Sequence, residues 1–259
     1  MANDSTTETG TQWKWIFIGT VVGVALSLFL FSMMKTVFTG SDTVPRIISL
    51  LGFILMGIII GYKSPGYTIK EPAIGGILTI IITVPVLSFI MEYSPDTTEK
   101  ILAPVFGFFF ALLGGWVGEE LDHSEQGHDR LTWIGLEWGW IIAGSVLAFV
   151  LNNFFVFGFY ALLHYGVQGI LISFALSFII AGAIVGYKSP GVTIKEAAMA
   201  GVISVLLDFL LLHFGFGGAE ALLSASQMFI GLLGGCILAL VGGWIGEKIQ
   251  SATAKKIEA

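Results

Sequence analysis

GYKSPGYTIKE at Gly61–Glu71 and GYKSPGVTIKE at Gly186–Glu196 are one eleven-residue stretch written twice, differing only at Tyr67 and Val192. The offset is 125 residues, and the same offset carries Trp13-Lys14-Trp15 onto Trp138-Gly139-Trp140. GGWVGE at Gly114–Glu119 returns as GGWIGE at Gly242–Glu247, 128 residues later. Long apolar runs flank both copies of the stretch. The chain reads as one unit encoded twice, so each position of interest has a partner to compare.

The apolar runs decide the class. Of 259 residues, 55% are hydrophobic and 12% charged, against about 25% charged in an ordinary soluble domain. Mean hydropathy is +0.89. Crossing the hydrocarbon core takes about 20 apolar residues in a helix. Marking the runs between polar breaks predicts spans at 15–34, 46–62, 72–91 and 101–118, then 134–158, 168–187, 196–213 and 226–246. The expected fold is all-α: a polytopic membrane protein with eight transmembrane helices in two tandem four-helix repeats. Four crossings per unit is an even number, so both units enter from one side. They would then be parallel, with a pseudo-two-fold axis along the membrane normal.

The expected organisation is a polar tail over 1–12, a first repeat over 13–118 and an acidic linker over 119–131. A second repeat follows over 132–248, then a second tail over 249–259. The first twelve residues carry Asp4 and Glu8; a secretory signal would start basic. The first run therefore reads as a retained helix. Lys14, Lys63, Lys70, Arg130, Lys188, Lys195, Lys248, Lys255 and Lys256 fall on the side of the N-terminus, and only Lys35, Arg46 and Lys100 on the other. That bias predicts both termini in the cytoplasm of a cell membrane protein. All seven tryptophans lie near span ends on the same side, where amphipathic rings suit the headgroup level.

Several chemistries find no support. A net charge of −6 argues against a nucleic-acid partner. Cys236 is the single cysteine, so there is neither an intrachain disulfide nor a thiolate metal site. His123 and His128 in the linker EELDHSEQGHDR are five apart, a spacing that suits no single helix face, and no HExxH pattern occurs. No nucleophile motif or His/Asp/Glu cluster appears, so neither an enzyme nor a cofactor is expected.

The repeated stretch is first of all turn chemistry. Pro65-Gly66 and Pro190-Gly191 supply one fixed φ and one permissive φ. Thr68 to Glu71 and Thr193 to Glu196 match a capping box. The functional alternative is an anion or lipid-headgroup site made from Lys63, Ser64 and Thr68 with Lys188, Ser189 and Thr193. Gly-x-x-x-Gly spacing recurs at Gly19/Gly23, Gly57/Gly61, Gly114/Gly118, Gly182/Gly186, Gly231/Gly235 and Gly242/Gly246. In lipid such faces supply close helix packing. Pro85 should bend its helix, while Pro104 is expected in a first turn, where proline is tolerated.

Asp208 is the one acid set deep in an apolar run, about twelve residues or 18 Å past the helix start. A charge there costs roughly 2.5–3.5 kcal/mol on insertion scales, so it should face protein or water. Ala197, Gly201, Ser204 and Asp208 share one face, matched by Pro72, Gly76, Thr79 and Thr83 in the first unit. Asn152 lies at similar depth, with Ser27 as its counterpart. The expected pairs are Asn152–Asp208 and Ser27–Thr83. Asp208 then serves either as uncharged glue between helices or as a relay for a proton or cation.

Two functions follow from these features. The first is a non-catalytic subunit that packs through its glycine faces, in a homo-oligomer or a larger membrane complex. The alternative is a transporter or channel for small solutes or ions, using the polar stripes around Asp208. The scarcity of chemical groups tilts the sequence toward the subunit.

Overall fold

The structure is a computed structural model, and it describes residues 11–38, 43–64, 70–91, 97–122, 132–133, 136–163, 166–189, 194–215 and 224–257. It is almost wholly helical. The helices are α1 (Trp13–Val37), α2 (Thr43–Ser49), α3 (Leu51–Lys63), α4 (Lys70–Met91) and α5 (Thr97–Asp122). After a small hairpin, β1 (Thr132–Trp133) with β2 (Leu136–Glu137), come α6 (Trp138–Leu163), α7 (Val167–Lys188), α8 (Ile194–Gly215) and α9 (Ala225–Ile257).

Among the described residues, seven helical segments are long and apolar enough to cross a membrane. Eight were expected. The span predicted at 196–213 forms α8, which is 22 residues long but carries Lys195, Glu196 and Asp208 and falls outside those seven. The span predicted at 46–62 is one of the seven, Val44–Lys63, with a single turn residue, Leu50, still in helical conformation, between α2 and α3. Residues 136–137, placed by the sequence in a fifth span, pair instead with 132–133 in the hairpin. α5 starts at Thr97, so Pro104 lies inside the helix and not in its first turn. The helix also runs on to Asp122, taking the first four residues of the expected linker; His123 and His128 lie outside the described residues. α9 likewise continues to Ile257, through most of the expected tail.

Proline sets where α3 and α7 stop. Steric contact with a proline ring drives the preceding residue out of the helical region. Ser64 and Ser189, each just before a proline, are extended at φ −80°, ψ 123° and φ −70°, ψ 132°. Both are buried, and their N–H groups close the last turn onto Ile60 and Val185. Thr68 and Thr193 lie outside the described residues. Each glutamate of the expected capping boxes also accepts from a distant stretch of backbone. The backbone N–H of Gln12 donates to Glu71 Oε1 at 3.2 Å, and that of Glu137 donates to Glu196 Oε1 at 3.5 Å. Each acid thus ties the start of α4 or α8 to the chain entering α1 or α6.

The close packing is made by glycine against backbone. A Cβ on Gly57 or Gly61 would strike the carbonyls of Ala111 and Gly115, and one on Gly114 or Gly118 those of Ile54 and Ile58. The α7–α9 pair does the same: Gly182 and Gly186 meet Ala239 and Gly243, while Gly242 and Gly246 meet Ile179 and Ala183. Backbones this close gain dispersion over their whole length, which is the attraction available where lipid is as apolar as leucine.

Further packing follows one scheme in both halves: α1 on α3 and α4, α4 on α5, then α6 on α7 and α8, α8 on α9. One hydrophobic core joins the halves, with Leu30, Ile54 and Val117 reaching Trp140, Val150 and Val185. The outer surface is strongly apolar, with Phe17, Phe89 and Phe109 exposed by 70%, 90% and 61%. Exposed apolar area on this scale marks a surface made for lipid.

Candidate functional site

α6, α7 and α8 bring four polar side chains to one point. Asp208, on α8, receives two amide hydrogen bonds from α6: Asn152 Nδ2 donates to Oδ2 at 2.8 Å and Asn153 Nδ2 to Oδ1 at 2.7 Å. Asn153 Nδ2 also donates to the Phe149 carbonyl at 2.8 Å. Ser177 on α7 donates to Asn152 Oδ1 at 3.4 Å and to the Ser173 carbonyl at 2.7 Å. The chain Ser177–Asn152–Asp208–Asn153 ties three helices together. Each amide hydrogen aimed at Asp208 leaves a carboxylate lone pair still open.

Those lone pairs have somewhere to point. Asp208, Asn152 and Asn153 line a cavity of about 680 Å³ whose other walls, among the described residues, are almost entirely apolar and include Phe157, Phe174, Phe209 and Ile230. Gln227 of α9 and Phe38, just past α1, also reach it. Asp208 is partly exposed there, whereas Ala197, Gly201 and Ser204 on the same face are buried. Ser204 Oγ is buried with no hydrogen-bond partner in the structure. His213 is exposed and takes no part in the lining.

Among the described residues, the first half has no such cluster. Ser27 is buried but does not pair with Thr83; its hydroxyl donates to the Ser49 carbonyl at 3.2 Å, at the break between α2 and α3. Thr83 Oγ1 is buried with no partner. The expected Ser27–Thr83 bond is not formed; Ser27 instead packs beside Gly52 and satisfies the Ser49 carbonyl. Thr79 Oγ1 lies 3.2 Å from Met56 Sδ, as a weak hydrogen bond. Met56 fills the centre, and Gly23 and Gly75 have no side chain to oppose it. At the corresponding places the second half has Ala181, Ala148 and Ala200, all buried.

Of the twelve turn and stripe residues singled out from the sequence, Asn152 and Asp208 meet, while Lys63 and Lys188 converge on a third residue. The two lysine ammonium groups approach one ring, that of Tyr62, at 4.8 and 5.6 Å from its centroid. Ser64 and Ser189 are buried behind them, and Ser189 Oγ donates to Glu137 Oε2 at 3.4 Å. Sequence reading missed Asn153, Ser173, Ser177 and Gln227. The Asn152-Asn153 doublet was the available signal: adjacent residues point about 100° apart on a helix, and amides long enough to converge can grip one carboxylate from both sides.

No group of three or more His, Cys, Asp or Glu side chains that could hold a metal ion is found among the described residues. No family model, curated protein or solved structure matches the chain. Its function is therefore argued from the site alone.

Proposed function

We propose that this is a multi-pass membrane protein that binds a small cationic solute or a proton at Asp208 and passes it into or across the bilayer. The observation carrying this reading is the placement of Asp208. It is held by two asparagines and faces a cavity of about 680 Å³. An acid kept inside an apolar bundle is costly to retain without use. The walls give a solute apolar contact, and the free lone pairs of Asp208 give a cation or a proton its seat. No catalytic step is invoked.

The proposed architecture is eight crossings in two parallel four-helix repeats, in the cell membrane, with both termini cytoplasmic. Its support is the equivalence of the glycine contacts at offsets of 125 and 128 residues. The approach of Lys63 and Lys188 to one tyrosine also supports it, since it sets both turns at one end. The lysine bias supports the cytoplasmic assignment of that end.

Glycine packing, which favoured the subunit reading, is spent within the chain: Gly57, Gly61, Gly182 and Gly186 all close on its own helices. The subunit reading keeps one specific support. On α9, Phe229, Ile230, Leu233, Ile237, Val241 and Trp244 are 42–67% exposed, a stripe a partner helix would cover. Native mass spectrometry after gentle extraction tests it; a lone monomer under every condition counts against a complex.

Transport is tested by reconstituting the full chain in liposomes and following proton and small-cation flux. Wild type should carry flux and Asp208→Asn should lose it while unfolding at the same temperature. No flux across the panel from correctly folded wild type sinks the proposal.

A further inference from the structure

A second cavity, of about 660 Å³, opens between the two halves and is independent of the Asp208 site. Its walls pair equivalent residues. Ile58, Ile59, Tyr62 and Lys63 of α3 stand with Ala183, Ile184, Tyr187 and Lys188 of α7, every pair 125 apart in sequence. Among the described residues, the cleft holds two cations, two phenol rings, and otherwise apolar side chains. No carboxylate is among the described lining residues. Lys63 and Lys188 are the last residues of their helices, which puts both ammonium groups at the level where a helix leaves the bilayer. The isoleucines lie about one turn deeper.

We propose that this cleft seats one anionic phospholipid, its phosphate between Lys63 and Lys188 and an acyl chain along the isoleucine walls. Charge complementarity selects the occupant. Basic pockets between membrane helices recognise anionic headgroups, and Tyr62 and Tyr187 add phenol hydroxyls that can donate to phosphate oxygens. A purely apolar partner would leave two ammonium groups facing it without an anion. A soluble anion would make no use of the greasy wall beneath the charges.

The test uses the full-length protein in detergent, titrated with phosphatidylglycerol or phosphatidylcholine and read by native mass spectrometry. One phosphatidylglycerol should be retained in preference to phosphatidylcholine. Lys63→Gln/Lys188→Gln should weaken that retention by about thirtyfold, the factor expected from two surface lysines. Lys14→Gln/Lys70→Gln removes the same charge elsewhere and should leave retention unchanged. Ile59→Trp, which fills the wall and keeps both charges, should also expel the lipid. Equal retention of both lipids overturns the proposal. So does an equal loss in the Lys14/Lys70 variant, an unaffected Ile59→Trp, or displacement of the lipid by inorganic phosphate.

Discussion

Residues 13–122 and 138–257 share a frame and differ at its centre. Gly57, Gly61, Gly114 and Gly118 close α3 on α5 as Gly182, Gly186, Gly242 and Gly246 close α7 on α9. Inside the first frame, Met56 occupies the space left by Gly23 and Gly75, and Gly52 presses on Ser27. Inside the second, Ala181 replaces Met56 and Ser177 replaces Gly52. Asn152 there turns toward Asp208. Backbone contact is thus common to both halves, while among the described residues only the second centre carries an acid held by two asparagines beside a largely apolar cavity.

The largest effect should come from the common frame. Gly186→Val puts a branched side chain into the Gly243 carbonyl, and Gly61→Val does the same to Gly115. Each should lower stability by about 3 kcal/mol, the upper range for overpacking against atoms that cannot yield. Thermal unfolding in detergent measures both. A tolerated Gly61→Val beside a ruinous Gly186→Val would break the equivalence of the halves.

Asp208→Ala comes next. It strands amide hydrogens of Asn152 and Asn153, each now bonded to the carboxylate, at a cost of about 1–3 kcal/mol. The effect belongs to the second half alone. Its counterpart, Thr83→Val, is the smallest. It removes a buried hydroxyl that has no partner and keeps the side-chain shape, so stability should change by less than about 0.5 kcal/mol or rise slightly. A large loss at Thr83 would mean that the first half hides a polar interaction of its own.

Much of this was legible in the sequence, for definite reasons. Apolar run length reports helices directly, and the duplicated turn, with proline after Ser64 and Ser189, marks where α3 and α7 end. Asp208 and Asn152 stood out because polar groups at that depth must find partners. What escaped notice was long-range. Periodicity cannot say that Glu71 and Glu196 bind the backbone at the start of α1 and α6, 59 residues away. It cannot say that the hydroxyl of Ser27 goes to the Ser49 carbonyl, on another helix 22 residues away. Nor does composition separate a stripe packed against Met56 from one that ends at a cavity; that depends on how the facing helices are placed.

The most direct test compares equivalent positions of the two centres. With Cys236→Ser as background, Asn152→Cys and Ser27→Cys each place one thiol at the matched site, and a small water-soluble thiol reagent is applied to the reconstituted protein. Asn152 lines the cavity of α6–α8, whereas Ser27 is fully buried under Gly52. The thiol at 152 should react and the thiol at 27 should stay protected while the protein is folded. Equal labelling of both, or protection at 152, would contradict a solute-accessible site in one half and a sealed core in the other.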